Sequence, residues 1–194
     1  RQAESITEKF PYHTYSFKIL ATILALQGRI AESVVIGEKV VSIDTHDADA
    51  YYNLGLAYQE LGKLDKAEEC YKAVIILKPK HADAHNNLGN TLHDRGQLQL
   101  AELHIKKAIA IKPDFTEAYN NLGLTLHELG RLEEAEASLR QTISLKPEYA
   151  EAYNNLGNTL KELGRLEEAM SSYTKAIELN PHLSGSRKNL VQLL

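Results

Sequence analysis

A 34-residue period dominates this sequence and constrains what the chain can fold into. The residues EAYNNLG occur at 117–123 and again at 151–157, with near-copies at 49–55 and 83–89. Two single-residue series keep the same spacing: Gly28, Gly62, Gly96, Gly130 and Gly164, and Pro11, Pro79, Pro113, Pro147 and Pro181, with Thr45 in the missing position. Self-similarity at one fixed period is typical of proteins built from stacked repeats.

Each period predicts a pair of antiparallel helices. Counting from the first residue of a repeat, helix A is expected over positions 2–14, and the Gly at position 15 supplies a left-handed turn after it. Helix B is expected over positions 18–31, and the Pro at position 32 prevents its continuation. Gly at position 8 and Ala at position 20 are small where helices must approach closely. Because one hairpin cannot bury its apolar face, successive hairpins should stack along one core.

Five repeats are predicted, at 14–47, 48–81, 82–115, 116–149 and 150–183. The first is degenerate, because it has Ala21 in place of the glycine of Leu-Gly, Gly37 in place of the late aromatic residue and Thr45 in place of Pro. Residues 1–13 fit the second helix of a preceding repeat. Residues 184–194, at the C-terminus, fit a helix that is the start of a further repeat. Since residue 1 is Arg and Met170 is the only Met, we expect the chain to be part of a longer protein.

Composition narrows the functional classes. The chain has 194 residues, 43% hydrophobic and 25% charged, with a net charge of −4 and no Lys/Arg block, which disfavours nucleic acid and anionic membranes as partners. Cys70 is the only Cys, so neither a disulfide nor a Cys-based zinc site can form within the chain, and we expect a reducing, cytoplasmic location. We predict no cofactor and no metal, and we place Cys70 on the convex surface of its helix.

The residues of one period resemble the tetratricopeptide repeat (TPR). In the second repeat the matching residues are Tyr51, Leu54, Gly55, Tyr58, Ala67, Tyr71 and Pro79. The resemblance implies an all-α fold, a right-handed superhelical solenoid of antiparallel helix pairs. It also implies that the polar stripe of helix A, at positions 2, 5, 6, 9, 12 and 13, lines a concave groove.

That stripe holds the candidate binding residues, most of which are amides. Position 6 carries Asn53, Asn87, Asn121 and Asn155, and position 5 carries Tyr52, Asn86, Asn120 and Asn154. Position 9 adds Asn90 and Asn158, and position 12 adds His93, His127 and Lys161. Asn is a mediocre helix former, so helix stability does not explain the repeated pairs.

An amide offers a donor and an acceptor, which complement the C=O and N–H of one peptide unit. Neighbouring helices lie roughly 8 to 10 Å apart and an extended peptide advances about 3.3 Å per residue, so one Asn would meet about every third ligand residue. The second Asn of each pair, at position 6, is the primary candidate. The alternative is that these amides bond between adjacent repeats or are only solvated.

The position-6 series, with NNLGN and ELGRLEEA, also looks like the TPR arm of O-linked N-acetylglucosamine transferases and related bacterial multidomain proteins. In that family an Asn ladder holds substrate peptide by its backbone. The resemblance implies a protein-interaction scaffold, or alternatively the substrate-recognition arm of a longer glycosyltransferase or sulfotransferase. A third alternative is end-to-end self-association through Ile6, Leu190, Val191 and Leu194. No catalytic constellation is present, so the chain itself is not predicted to be an enzyme.

Acidic residues recur at position 13, near the C-terminus of helix A, where the helix dipole disfavours them. They are Glu60, Asp94, Glu128 and Glu162. Two explanations remain open. Three of them could pair with the basic residue three positions later, namely Lys63, Arg131 and Arg165, or the acids could recognise Lys or Arg in a ligand. His93 and His127 are too far apart to share a zinc ion easily.

Overall fold

A computed structural model of the chain describes residues 14–183 and 185–193, and all of its regular elements within those ranges are α-helices. They are α1 (Thr14–Leu26), α2 (Ile30–Ile43), α3 (Ala48–Glu60), α4 (Leu64–Leu77), α5 (Ala82–Asp94), α6 (Leu98–Ile111), α7 (Thr116–Glu128), α8 (Leu132–Leu145), α9 (Ala150–Glu162), α10 (Leu166–Leu179) and α11 (Ser186–Val191). The predicted all-α fold is confirmed. The helix expected within residues 1–13 lies outside the described residues.

The helices belong to two compact units, Arg1–Arg95 with α1 to α5 and Gly96–Leu194 with α6 to α11. Within each unit, every helix packs against the one before it and the one after it. Short turns join these neighbours, so they form successive antiparallel hairpins. None of the helices in the described ranges is long and apolar enough to cross a membrane.

The turn inside each pair is closed as the glycine series predicts. Gly62 has a φ of 69°, a left-handed conformation that glycine adopts without a Cβ clash. Its N–H donates to the Gln59 carbonyl at 2.9 Å, and the Lys63 N–H donates to the Tyr58 carbonyl at 2.9 Å. These two bonds satisfy carbonyls that the end of α3 would otherwise leave unpaired.

Two of the first helices, α3 and α5, begin at side-chain caps that the repeat pattern did not predict. The Asp47 side chain accepts a hydrogen bond from the Ala50 N–H at 3.0 Å, and His81 Nδ1 accepts one from the Ala84 N–H at 3.1 Å. Both caps occupy position 34, the last residue of the preceding repeat. The helices α7 and α9 follow Phe115 and Tyr149, which make no side-chain cap, and they begin at the same repeat position as α3 and α5, one residue earlier than predicted.

Helix pairs approach closely where position 8 is Gly. A Cβ added at Gly157 would lie 2.6 Å from Tyr173 Cε1, and one at Gly123 would lie 2.6 Å from Leu139 Cγ. The small Ala residues at position 20 are fully buried, including Ala135 and Ala169. These positions therefore have the packing role that the sequence indicated.

The expected surface position of Cys70 is wrong. Its side chain is buried, 6% exposed, and its Cβ would lie 3.2 Å from a Cβ added at Gly55. Burial raises the pKa of the thiol to about 12, with a smaller contribution from the negative charge of Glu69. The missing side chain at position 8 of the first helix leaves room for Cys70 beneath it.

The last helix covers the end of the second unit. Leu190 and Leu193 pack against a buried cluster that includes Leu139, Leu160 and Tyr173. Val191 points away and is 71% exposed. Of the other residues expected to drive self-association, Ile6 and Leu194 lie outside the described residues.

Candidate functional site

In the first unit, the position-5 and position-6 side chains of α3 and α5 differ in how far the fold engages them. Asn87 Nδ2 donates to the Tyr52 hydroxyl at 3.1 Å, which joins α5 to α3. Asn86 is buried and its Nδ2 lies 3.5 Å from Asn87 Oδ1. Asn53 is exposed and makes no side-chain hydrogen bond to any described residue. In this unit the Asn53 side chain is therefore open to solvent, whereas those of Asn86 and Asn87 are engaged by the fold.

In the second unit a continuous chain of hydrogen bonds crosses three helices. Ser186 Oγ donates to Asn154 Oδ1 at 2.9 Å, and Asn154 Nδ2 donates to Asn155 Oδ1 at 3.4 Å. Asn155 Nδ2 then donates to Asn120 Oδ1 at 3.1 Å. Since Asn120 is only 6% exposed, its amide leaves little surface for a ligand. The chain links α11, α9 and α7.

Asn158 at position 9 is also tied into the structure. Its Oδ1 accepts hydrogen bonds from the Tyr173 hydroxyl at 2.9 Å and from Asn189 Nδ2 at 2.9 Å. Both lone pairs of that oxygen are used, so only its two N–H donors remain available. By contrast, Asn90 at the same position of α5 is half-buried and its side chain has no hydrogen bond among the described residues.

These contacts show how the amides divide between folding and surface. An Asn side chain has two N–H donors and an oxygen with two lone pairs. Asn155 uses one donor toward Asn120 and one lone pair toward Asn154, which leaves one of each. Its side chain and those of Asn87, Asn121 and Asn154 are half-buried. Bonding between repeats and residual capacity for a ligand therefore coexist in the same residues.

The position-12 residues lie at the edge of the same face. His127 Nε2 is 3.2 Å from Glu162 Oε1, close enough for an ion pair when the imidazole is protonated but not aligned for a hydrogen bond. His93 Nδ1 is 3.6 Å from Asp94 Oδ1. Lys161 is half-buried and has no ion pair within the described ranges. The described residues contain no group of three His, Cys, Asp or Glu that could hold a metal ion.

Pairing with the basic residue three positions later, one of the two explanations left open for the position-13 acids, is not observed for Arg165, and Arg131 likewise binds carboxylates of second helices. Arg131 binds Glu102 at 2.7 Å and Glu134 at 2.6 Å, and Arg165 binds the equivalent carboxylates. Those carboxylates lie on second helices, so the guanidinium groups turn away from the candidate site. Among the described residues, the exposed Glu60 has no ion-pair partner.

The Tyr52 hydroxyl, at position 5 of α3, has a raised pKa. Burial raises the pKa of its hydroxyl and the negative charge of Asp83 raises it further, while the hydrogen bond from Asn87 acts in the opposite direction. The hydroxyl therefore stays protonated at neutral pH. It accepts a hydrogen bond from Asn87 and has its own proton available for another acceptor.

Comparison with known proteins identifies the repeats. Family models described as "Tetratricopeptide repeat" match residues 48–81, 70–102 and 150–183, and a model described as "TPR repeat" matches residues 89–130 and 125–164. Together these matches run without a gap from the second predicted repeat to the end of the fifth. They cover more than half of the chain.

Two curated plant proteins match a 60-residue segment. They are probable UDP-N-acetylglucosamine–peptide N-acetylglucosaminyltransferases SPINDLY, 37% identical in Oryza sativa subsp. japonica and 35% identical in Hordeum vulgare. The segment is 31% of this chain but only 6% of either plant protein. The likeness is therefore confined to a short part of those proteins.

Solved structures share the fold over most of the chain. MamA is 26% identical with a TM-score of 0.77, and the match covers 83% of this chain and 94% of MamA. YrrB, described as a TPR protein with an unusual peptide-binding site, is 22% identical with a TM-score of 0.78, over 100% of this chain and 99% of YrrB. The second likeness shows the fold alone. From the repeat period, the helix pairs and the matching family models, we conclude that the chain belongs to the tetratricopeptide repeat family.

Proposed function

We propose that this chain is a protein-interaction scaffold that binds an extended peptide segment of a partner along the polar face of its first helices. The observation that carries the proposal is the exposed, unbonded amide of Asn53, together with the half-buried amides of Asn87 and Asn155 at the equivalent position. Each of the latter two is held in place by one bond to the preceding first helix. Because the fold already holds these two side chains in place, they lose little further conformational freedom when a ligand binds, and this favours binding.

The chemistry of the face suits a peptide backbone. The free N–H of an Asn side chain can donate to a peptide carbonyl, and its remaining lone pair can accept from a peptide N–H. Such contacts do not depend on the ligand side chains, so the face should accept varied sequences. The half-buried residues of position 12, His93, His127 and Lys161, lie beside these amides and would contact ligand groups at the edge.

The acidic residues of position 13 add a preference for basic ligands. Glu60 is exposed without an ion pair among the described residues, and the side chain of Glu162 is 52% exposed beside His127. Because Arg165 binds Glu136 and Glu168 and Glu60 has no ion pair among the described residues, these two acids keep negative charge available to a ligand. We therefore expect peptides with Lys or Arg to bind more tightly at low salt.

Two relatives support this proposal without deciding it. YrrB, which has the same fold, is described as having a peptide-binding site. The match to SPINDLY, a probable peptide glycosyltransferase, favours a second candidate function, in which this chain is the substrate-recognition arm of a longer enzyme. Both candidates use the same peptide-binding face and differ only in what is attached to it.

Substituting Asn53 tests the proposal because this residue has no structural bond to lose. We expect Asn53→Ala to weaken binding of an extended peptide by roughly fivefold, the effect of about one net hydrogen bond. The free energy of unfolding should stay within about 0.5 kcal/mol of the parent value. Binding can be measured by fluorescence anisotropy on a labelled random-sequence peptide library, with unfolding followed in urea.

Gln141→Ala is the matched control, because it also removes an exposed amide from a helix but lies on a second helix. It should leave peptide affinity unchanged. Equal affinity for Asn53→Ala and Gln141→Ala would argue against the amide face as the binding site. Absence of any peptide binding to the parent protein would reject the scaffold proposal itself.

A further inference from the structure

The first unit contains an open apolar cavity of about 270 Å³ between α1, α2 and α3. Its walls are mostly small or aliphatic side chains, including those of Ala21, Ala25, Leu54 and Ala57, together with the backbone of Gly37. Leu26 and Leu56 also line it and are 83% and 41% exposed.

The repeat register explains why the cavity is there. The equivalent cleft in the second unit, between α7 and α9, has a volume of only about 20 Å³. It is lined by Leu139 at position 24 and His127 at position 12. In the first repeat these positions hold Gly37 and Ala25, so two large side chains are missing from the same place.

The surrounding side chains do not close the gap. A Cβ added at Gly37 would lie 3.1 Å from Leu54 Cδ1, which shows that Leu54 already leans toward the glycine. The cavity persists despite this contact. Gly in the middle of a helix is unfavourable relative to Ala, so Gly37 does not stabilise α2 locally.

Polar groups at the opening indicate what could enter. Lys18 is engaged by Asp47 at 2.7 Å, so its positive charge is already neutralised. Glu60 lines the same opening and has no ion-pair partner among the described residues. Asn53, the exposed amide of the binding face, lies beside it. The opening therefore combines an available negative charge and an amide with an apolar interior.

We propose that this cavity is a specificity pocket that accepts one large apolar side chain of the bound peptide, with an adjacent Lys or Arg of the peptide facing Glu60. The inference rests on the proposed peptide-binding function and adds a ligand class to it. An apolar cavity of about 150 Å³ is large enough to bind benzene, so this one can hold a Phe or Leu side chain. Asn53 would contact the peptide backbone beside the inserted residue.

A set of six-residue peptides tests the pocket. The probes are acetylated and amidated Ala-Ala-X-Lys-Ala-Ala with X as Phe, Leu or Ala, and a version with X as Phe and Glu in place of Lys. For the parent protein we expect the Phe and Leu peptides to bind at least about tenfold more tightly than the Ala peptide, because each buries a large side chain. Replacing the peptide's Lys by Glu should weaken binding, and Glu60→Gln should reduce that difference.

Two filling variants copy the residues of the equivalent cleft. Gly37→Leu and Ala25→His should both abolish the preference for Phe over Ala. Gly37→Leu should not lower the melting temperature, since Leu is a better helix former than Gly and its side chain fills the cavity once the Leu54 methyl at 3.1 Å moves aside. His is a weaker helix former than Ala, so a thermal melt of Ala25→His shows that this variant is folded when its peptide preference is measured. Val35→Leu is the control, because it adds volume at a 63% exposed position on the same helix α2 and should change nothing.

The outcomes separate this inference from the proposed function. If the parent protein binds the Phe and Ala peptides equally, or Gly37→Leu keeps the preference, the pocket is wrong and the scaffold function stands. If the parent protein binds none of the peptides, both fail. If Gly37→Leu alters self-association in sedimentation velocity without altering peptide binding, a second copy of the chain is the occupant and the pocket proposal is overturned.

Discussion

At the scale of single residues, the asparagines of the repeated motif differ in how much hydrogen-bonding capacity the fold uses. Asn53 uses none among the described residues, whereas Asn155 bonds to both Asn120 and Asn154. Asn158 goes further, with two donors on its oxygen. Asparagines of the same repeated motif are therefore expected to differ in the effect of their substitution on stability.

Asn155→Ala should lower the free energy of unfolding by about 1–3 kcal/mol. The change removes the donor to Asn120 Oδ1, and Asn120 is nearly buried, so its oxygen would be left without that partner. Urea unfolding followed by circular dichroism measures this directly. Asn53→Ala serves as the reference at the same repeat position, and an equal loss in both variants would show that the bond to Asn120 does not stabilise the fold.

Gly157→Ala should lower the free energy of unfolding by about 1–3 kcal/mol through overpacking, because the new Cβ would lie 2.6 Å from the fully buried Tyr173 ring. Gly37→Ala is the matched comparison, since its Cβ meets a movable Leu54 methyl at 3.1 Å. That variant should be neutral or more stable by up to about 1 kcal/mol. Thermal melting of both proteins decides the point, and a neutral Gly157→Ala would contradict the close approach.

Bonding of these amides between adjacent repeats was one of the alternatives that the sequence left open, but the sequence could not predict which partners they bond. The bond from Asn155 to Asn120 joins residues 35 positions apart, so it depends on how two first helices stack. Ser186, which bonds Asn154, was not identified at all. The sequence does contain an indication of the cavity, because Gly37 replaces the late aromatic residue of the repeat. That replacement was interpreted only as degeneracy of the first repeat.

At the scale of the helices, consecutive second helices of the second unit are joined by ion pairs. Arg131, just before α8, binds Glu102 of α6 at 2.7 Å, and Arg165, just before α10, binds Glu136 of α8 at 2.6 Å. The carboxylate side chains are 14% exposed in both cases. Pairing three positions apart, one of the two explanations that the sequence left open for the position-13 acids, involves residues close along the chain, whereas these partners are 29 residues apart.

The Glu102 carboxylate should make stability depend on pH. Burial acts to raise its pKa, but hydrogen bonds from Lys106 and Arg131 outweigh burial and the pKa is lowered. A lowered pKa in the folded state means that the stabilisation is present above the unfolded value of about 4.3 and is lost as pH falls through the folded value. Urea unfolding between about pH 3 and 6 should show stability rising with pH.

Glu102→Gln provides the control for that pH dependence. The amide cannot ionise, so the variant should lose part of the rise and be less stable than the parent mainly at the upper end of the range. Glu133, an exposed residue without a described ion pair, gives a comparison when changed to Gln. If Glu102→Gln and Glu133→Gln show the same pH profile as the parent, the link through Arg131 contributes no measurable stability.

At the scale of the whole molecule, the repeat period predicted the fold because each element follows from a local rule. Gly at position 15 sets the turn, Pro at position 32 limits the second helix, and small residues allow helices to meet. Helix boundaries were therefore predicted to within about one residue. The period alone did not show that position 23 of the second helix is buried, where Cys70 lies beneath Gly55 and Ser138 and Ser172 are buried at the equivalent place.

In the second unit, α11 should be the first helix to exchange its amide hydrogens. It is six residues long, shorter than an isolated helix requires for stability, and it is held by Leu190 and a few polar bonds. In a repeat protein each element is stabilised mainly by its neighbours, so a six-residue helix that makes few contacts with α9 and α10 opens most easily. Hydrogen exchange by mass spectrometry should show α11 exchanging before α7 and α9, and the reverse order would contradict this packing.

The measurement that tests the central claim most directly is a titration of the ¹⁵N-labelled protein with the Phe-containing peptide, followed through the side-chain NH₂ signals in its NMR spectrum. We predict that the signals of Asn53 and Asn87 shift progressively with peptide, while those of Gln99 and Gln141, which are exposed on second helices, remain in place. Peptide binding that shifts the glutamine signals and leaves both asparagine signals unchanged would contradict the account.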